Sequence, residues 1–116
     1  MKQLLMSGLV MLALAGCAND PRPSAQMHLS TQTIEQARAV GADQQVEEMR
    51  LAENKLARAE KNMAEKDYKR ARVLAEQAEL DARLAEARVL NQKKRRQLDE
   101  LAAQNAHLRQ QLRELH

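Results

Sequence analysis

Aromatic side chains are almost missing from this 116-residue chain: it has no Trp, no Phe and a single Tyr, Tyr68. Aromatics make the largest single burials in ordinary cores, so a conventional globular core is poorly supplied. Three Gly and two Pro are too few for a turn-rich all-β protein. One Cys excludes a disulfide framework and any multi-cysteine metal site. No charge of one sign dominates either. The 19 Lys and Arg stand against 16 Asp and Glu, leaving a formal net charge of +3 with the signs interspersed, so net charge says little about partners.

What the chain does have is Ala, Leu, Glu, Gln, Lys and Arg, the strong helix formers. With 44% hydrophobic and 30% charged residues and length for one domain at most, the composition predicts an elongated all-α protein.

The first residues form a unit of their own. Met1-Lys2 is a short positive region, Leu4 to Ala15 is an apolar run broken by Ser7 and Gly8, and Leu14-Ala15-Gly16-Cys17 closes it. The run is too short to span about 30 Å of hydrocarbon comfortably as a permanent helix. Its charge, length and small-residue end predict a secretory signal peptide over residues 1–16. The closing tetrad resembles the bacterial lipoprotein box. That resemblance implies cleavage between Gly16 and Cys17 and acylation of Cys17, with palmitate-type chains. Each buried CH₂ contributes roughly 0.8 kcal/mol, and several chains together anchor a protein stably. Lipoproteins of this kind are retained at the inner membrane by Asp directly after the Cys. Here Ala18 and Asn19 follow, which implies an outer-membrane location facing the periplasm.

Residues 17–29, including NDPRPSAQ over 19–26 and both prolines, read as the lipidated Cys and a flexible spacer, since Pro disfavours helix at itself and before it. Residues 30–90 read as a helical hairpin domain. Ser30, Thr31 and Thr33 are N-cap candidates, with Thr33 and Gln36 fitting a capping box. A short first helix through Ile34, Ala37 and Val40 would end at Gly41, a left-handed cap. A second helix over 43–64 carries Val46, Met49, Ala52, Leu56, Ala59 and Met63 on one face. Asp67 is a good N-cap for a third helix beginning at Tyr68. Without a turn there, a helix from Asp43 to Leu115 would be a rod roughly 110 Å long.

The third helix has two unlike sides. Ala71, Ala75, Ala78, Ala82, Ala85 and Val89 make a narrow stripe, with Leu74 beside it. Val73, Leu80, Leu84 and Ala87 fall opposite. Small residues permit close helix approach, so the second helix is the expected partner of the Ala stripe. The larger face is left for the first helix or a second copy.

Residues 91–116 read as a basic collar followed by a heptad-like helix. Leu98, Leu101, Asn105, Leu108, Leu112 and Leu115 alternate by three and four, with Asn105 at an a position, where buried Asn can fix register and oligomer state. This seam predicts association with a second copy or with another envelope protein.

The stretches IEQARAVGA and MRLAENKLARAEKNMAEKDYKRARVLAEQAELDARLAEARV resemble the bacterial lipoproteins carrying the domain of unknown function four-three-nine-eight. The shared features are recurrent Ala, the Lys-Leu-Ala-Arg-Ala-Glu block and the Asp67-Tyr68-x-x-Ala71 corner, in order behind a lipobox. The resemblance implies an envelope-located helical module and no catalytic activity.

The residues point the same way. His28, His107 and His116 lack the i, i+4 spacing of helical metal ligands and have no accompanying Cys. No Gly-rich phosphate loop or nucleophile elbow is present. Carboxylates sit beside cations as i, i+4 pairs, such as Glu79 with Arg83 and Lys61 with Glu65. No catalytic residue, metal site or cofactor is expected. Lys93, Lys94, Arg95 and Arg96 form one basic cluster. Export and the lack of interleaved aromatics argue against nucleic acid. An anionic envelope polymer, peptidoglycan or lipopolysaccharide, is the chemistry it would suit; the plainer reading is a solvated collar.

Overall fold

The structure, a computed structural model, describes residues 20–115. The signal segment, the Gly16–Cys17 cleavage and lipidation site, and His116 lie outside the described residues. Three helices follow one another: α1 (Ser24–Ala39), α2 (Glu47–Ala64) and α3 (Tyr68–Glu114). Among the described residues there is no strand, and no helix is long and apolar enough to cross a membrane.

The α2–α3 hairpin forms where the caps place it. Asp67 accepts a hydrogen bond from the Arg70 backbone N–H at 3.2 Å, satisfying one of the free donors of a helix start. Just before it, Lys66 takes φ 61°. The Asp67 N–H reaches the Asn62 carbonyl at 2.9 Å and the Lys66 N–H reaches Met63 at 3.2 Å. These are the two bonds of a Schellman motif. The same motif ends α1: Gly41 has φ 99°, Ala42 N–H bonds Ala37, and Gly41 N–H bonds Arg38, both at 2.9 Å.

Two boundaries differ from the sequence expectation. α1 begins at Ser24 rather than near residue 30, so residues 24–29 are helix and not spacer. Pro23 stands ahead of the first turn, and its carbonyl accepts from Met27 N–H at 3.0 Å. A helix start loses nothing to a missing proline N–H. Ser30, Thr31 and Thr33 therefore lie inside the helix, and Thr33 with Gln36 makes no capping box. Their hydroxyls turn back on carbonyls one turn earlier: Ser30 on Gln26, Thr31 on Met27 and Thr33 on Leu29, at 2.8 to 3.0 Å. This bonding mode competes with capping for the same residue types. α2 starts at Glu47, four residues late. Asp43 instead closes the connecting turn, its carboxylate accepting from Gln45 N–H at 2.8 Å, as Asx residues do.

The packing is a three-helix bundle with one overlong member. α2 runs antiparallel to α3, marked by Lys55–Asp81 at 2.6 Å and Arg88–Glu48 at 2.5 Å. α1 runs parallel to α3. Gln26 donates to Glu79 at 2.8 Å, Gln36 to Glu86 at 3.0 Å, and Lys93 to the Val40 carbonyl at 2.6 Å. Both short helices share the stripe of Ala71, Ala75, Ala78, Ala82 and Ala85, all fully buried. The first helix thus does not cover the Leu and Val face of α3, as was one expectation. Ser30 sits at 2.7 Å from the Ala75 carbonyl, so α1 uses the close approach that small residues allow. The largest core residues, Ile34 and Met49, gather with Ala37, Ala42, Ala52, Ala82, Ala85 and Val89 toward the α1–α2 connection.

α3 has 47 residues, about 70 Å of helix at 1.5 Å per residue. Its first half is the spine of the bundle. From Leu90 onward every described residue is exposed, so the second half stands clear. The bundle supplies the nucleus, and strong helix formers propagate from it at little further cost.

Candidate functional site

The projecting half of α3 carries the predicted seam. Leu98, Leu101, Asn105, Leu108, Leu112 and Leu115 are all exposed. The larger apolar residues opposite the Ala stripe are uncovered as well. Leu80, Leu84, Leu98, Leu101, Leu108 and Leu112 are each 53–65% exposed. Scattered exposed leucines are ordinary; a row of them along one helix face is not.

The row is one heptad series. Stepping back from Leu98 by alternating fours and threes meets Lys94, Asn91, Ala87, Leu84, Leu80, Gln77 and Val73. With Leu98 at a, the Ala stripe falls at b and f, on the side of the helix away from a and d. α1 and α2 therefore pack on the other side of α3 and leave its a and d residues exposed, with Arg58 of α2 reaching the cavity beside Val73 and Gln77. The alternation alone would join the two halves, but Lys94 and Asn91 interrupt the apolar pattern at the junction. Asn91 was missed for that reason.

Polar contacts hold α3 against its two neighbours. The Glu79 carboxylate is held below its ordinary value, chiefly by the hydrogen bond from Gln26 and then by Arg83. The expected pairs Glu79–Arg83 and Lys61–Glu65 are present at 2.5 and 3.9 Å. Arg38 joins Glu35 and Glu53, and its guanidinium is held above its ordinary value mainly by the Glu53 hydrogen bond. Glu48 is 8% exposed; one oxygen meets Arg88 and the other has no hydrogen-bond partner.

The basic cluster is divided by the fold. Lys93 is spent on the Val40 carbonyl, where a cation suits the C-terminal end of α1. Arg96 turns with Arg88 toward a cleft of about 460 Å³ beside Gly41, Gln45 and Gln92, whose lining also includes Asp43 and Glu47. Lys94 and Arg95 are exposed on other sides of the helix. No group of three or more potential metal ligands occurs among the described residues.

Comparison with known proteins agrees with this architecture. Residues 25–101 match a family described as a domain of unknown function, DUF4398. The chain belongs to the DUF4398 family. A crystal structure of a DUF4398 family protein from Pseudomonas aeruginosa PAO1 is similar, with 53% identity and a TM-score of 0.80. The match covers 83% of this chain and all of that one. No curated protein matches the chain. The DUF4398 match takes in the three-helix bundle, the basic cluster, Leu98 and Leu101. Asn105, Leu108, Leu112 and Leu115 lie beyond it.

Proposed function

We propose that this DUF4398 protein is a lipid-anchored, non-catalytic interaction module of the bacterial envelope, which holds the free face of α3 out for a protein partner. The observation that carries the reading is the direction of α3. The chain enters the bundle beside the first turns of α3, where Arg72 donates to the Pro21 carbonyl at 3.1 Å. The exposed half of α3 leaves from the opposite end. Cys17 is four residues ahead of Pro21, no more than about 14 Å of extended chain. A lipid on Cys17 would keep the Tyr68 end near the membrane. It would hold the tip of α3 about 70 Å further on.

The Leu14-Ala15-Gly16-Cys17 segment supports acylation, and Ala18-Asn19 supports the outer membrane with the bundle in the periplasm. The exposed leucines of α3 form a row along the helix, the shape that suits a protein partner. The test is labelling with a palmitate analogue in the native bacterium, with envelope fractionation. Label and outer-membrane recovery lost in a Cys17→Ser variant are expected. An unlabelled wild-type chain, or one recovered in the cytosol, contradicts the reading.

A second reading is favoured by the exposure of Lys94, Arg95 and Arg96: an adaptor for an anionic polymer such as peptidoglycan or lipopolysaccharide. The loss of Lys93 to α1 makes it the weaker of the two. Unchanged co-sedimentation with sacculi and lipopolysaccharide in an Arg95→Ala/Arg96→Ala variant disposes of it.

A further inference from the structure

We infer that the occupant of the free α3 face is a second copy of the chain, paired in parallel and in register from Val73 to Leu115. This deepens the interaction reading above by naming the partner. Three features carry it: the length of the face, its freedom from α1 and α2, and the positions of two asparagines.

From residue 73 to residue 115 the helix is about 63 Å long, and a helix contact strip is about 10 Å wide. Two copies meeting along it bury roughly 1,200 Å² in total, the lower bound for a specific stable interface. The six heptads carry nine apolar residues at thirteen a and d positions, the polar ones being Gln77, Asn91, Lys94 and Asn105. The leucines of the bundle half and those of the projecting half keep one heptad register, which a left-handed supercoil of two copies brings onto one face, since a straight helix drifts about 20° per heptad. A partner helix engaging the tip in register is carried along the bundle too. α1 and α2 leave the a and d residues of the bundle half exposed, and α2 reaches only the flank of the face, through Lys55 to Asp81, Glu48 to Arg88 and Arg58 beside Val73 and Gln77.

Register and direction follow from Asn91 and Asn105, both at a positions and both exposed. In a parallel in-register pair each asparagine faces its own copy, and the two amides donate to and accept from one another. A shift of one heptad puts Asn91 opposite Leu98 and Asn105 opposite Leu112, and a shift of two, which pairs Asn91 with Asn105, gives up two of the six heptads of contact. In an antiparallel pair an a residue faces a d residue. The d positions are Val73, Leu80, Ala87, Lys94, Leu101, Leu108 and Leu115. The 14-residue spacing of the asparagines then always sets at least one of them against Val or Leu, with its amide unsatisfied. At the flanking positions Asp81, Arg83 and Arg88 are already paired within their own chain, to Lys55, Glu79 and Glu48. In this register Arg83 flanks the partner's Arg88 with both already paired in their own chains, while Glu76 flanks the partner's Asp81 and is a like-charge contact. Lys94 lies in the seam with a long stem that lets its ammonium reach water.

The test is disulfide trapping of the full chain in the native envelope, with Leu80→Cys, Leu108→Cys and, as control, Gln110→Cys at an outward f position. Leu80→Cys and Leu108→Cys are each expected to give a band at twice the monomer mass that disappears on reduction, while Gln110→Cys gives none. Leu80 samples the bundle half and Leu108 the tip. No band from either overturns the pairing. A band from Leu108→Cys alone overturns its extent, and a band from Gln110→Cys as strong as the others marks random collision and overturns it as well. Palmitate labelling of Cys17 is unaffected by any of these results, so the anchoring reading stands or falls separately.

Discussion

The Ser30 hydroxyl lies 2.7 Å from the Ala75 carbonyl, and both residues are fully buried. The contact is where α1 sits down on α3. The same oxygen is 2.8 Å from the Gln26 carbonyl, and its single proton serves both acceptors. Ser30→Ala removes this bond at nearly constant volume and is expected to cost about 1 kcal/mol. Ser30→Leu is expected to cost about 1–3 kcal/mol by overpacking. Urea unfolding followed by circular dichroism measures both, and an unchanged midpoint in Ser30→Leu contradicts the close approach.

Lys66 and Gly41 occupy the same place in the same capping motif, both with positive φ. A side chain in the left-handed region costs about 1–2 kcal/mol, part of which glycine returns through its greater freedom in the unfolded chain. Lys66→Gly is expected to stabilise the protein by about 0.5–1 kcal/mol. Gly41→Ala is expected to destabilise it by about 1 kcal/mol, through its backbone angle. An added Cβ would meet nothing closer than 3.7 Å. Thermal melts of the two variants should move in opposite directions.

Much of this was legible in the residues. The Ala stripe, the Asp67 cap and Gly41 are local patterns, and each stands where its spacing put it; the leucines of the seam lie exposed along α3. What escaped is of two kinds. Hydroxyl residues serve as caps or as back-bonding groups within a helix, and nothing local to Ser30, Thr31 and Thr33 distinguishes the two uses; the partner of Ser30 is 45 residues away. The placement of α1 was also hidden, because one narrow Ala stripe accommodates two neighbours as readily as one. The Lys93 cap on Val40 depends on that placement and so was read as part of a charge cluster.

Glu48 and Arg88 form a pair in which the acid is buried and the base is about half exposed. Arg88→Ala leaves the carboxylate without its partner and is expected to cost about 1–3 kcal/mol. Adding Glu48→Leu is expected to restore most of the loss, since an apolar residue of similar size leaves no charge to satisfy. Additive losses in this double-mutant cycle contradict the pairing.

Acid should weaken the Gln26–Glu79 contact between α1 and α3. Glu79 has its pKa lowered in the folded state, chiefly by the Gln26 amide. Its contribution is fully present above the ordinary value of 4.5 and is lost as pH falls below it. Gln26→Ala is expected to make unfolding midpoints less dependent on pH in that acid range. The wild type should lose stability there more steeply than the variant. Parallel pH profiles contradict the assignment.

The claim that α3 presents an assembly face is tested most directly by sedimentation equilibrium on the wild-type chain and on a Leu108→Ser/Leu112→Ser variant, with circular dichroism melts of both. A wild-type dimer, and a monomeric variant whose bundle still melts cooperatively, is the expected result. A wild-type chain that stays monomeric at every concentration, or a variant that dimerises as well as the wild type, contradicts it.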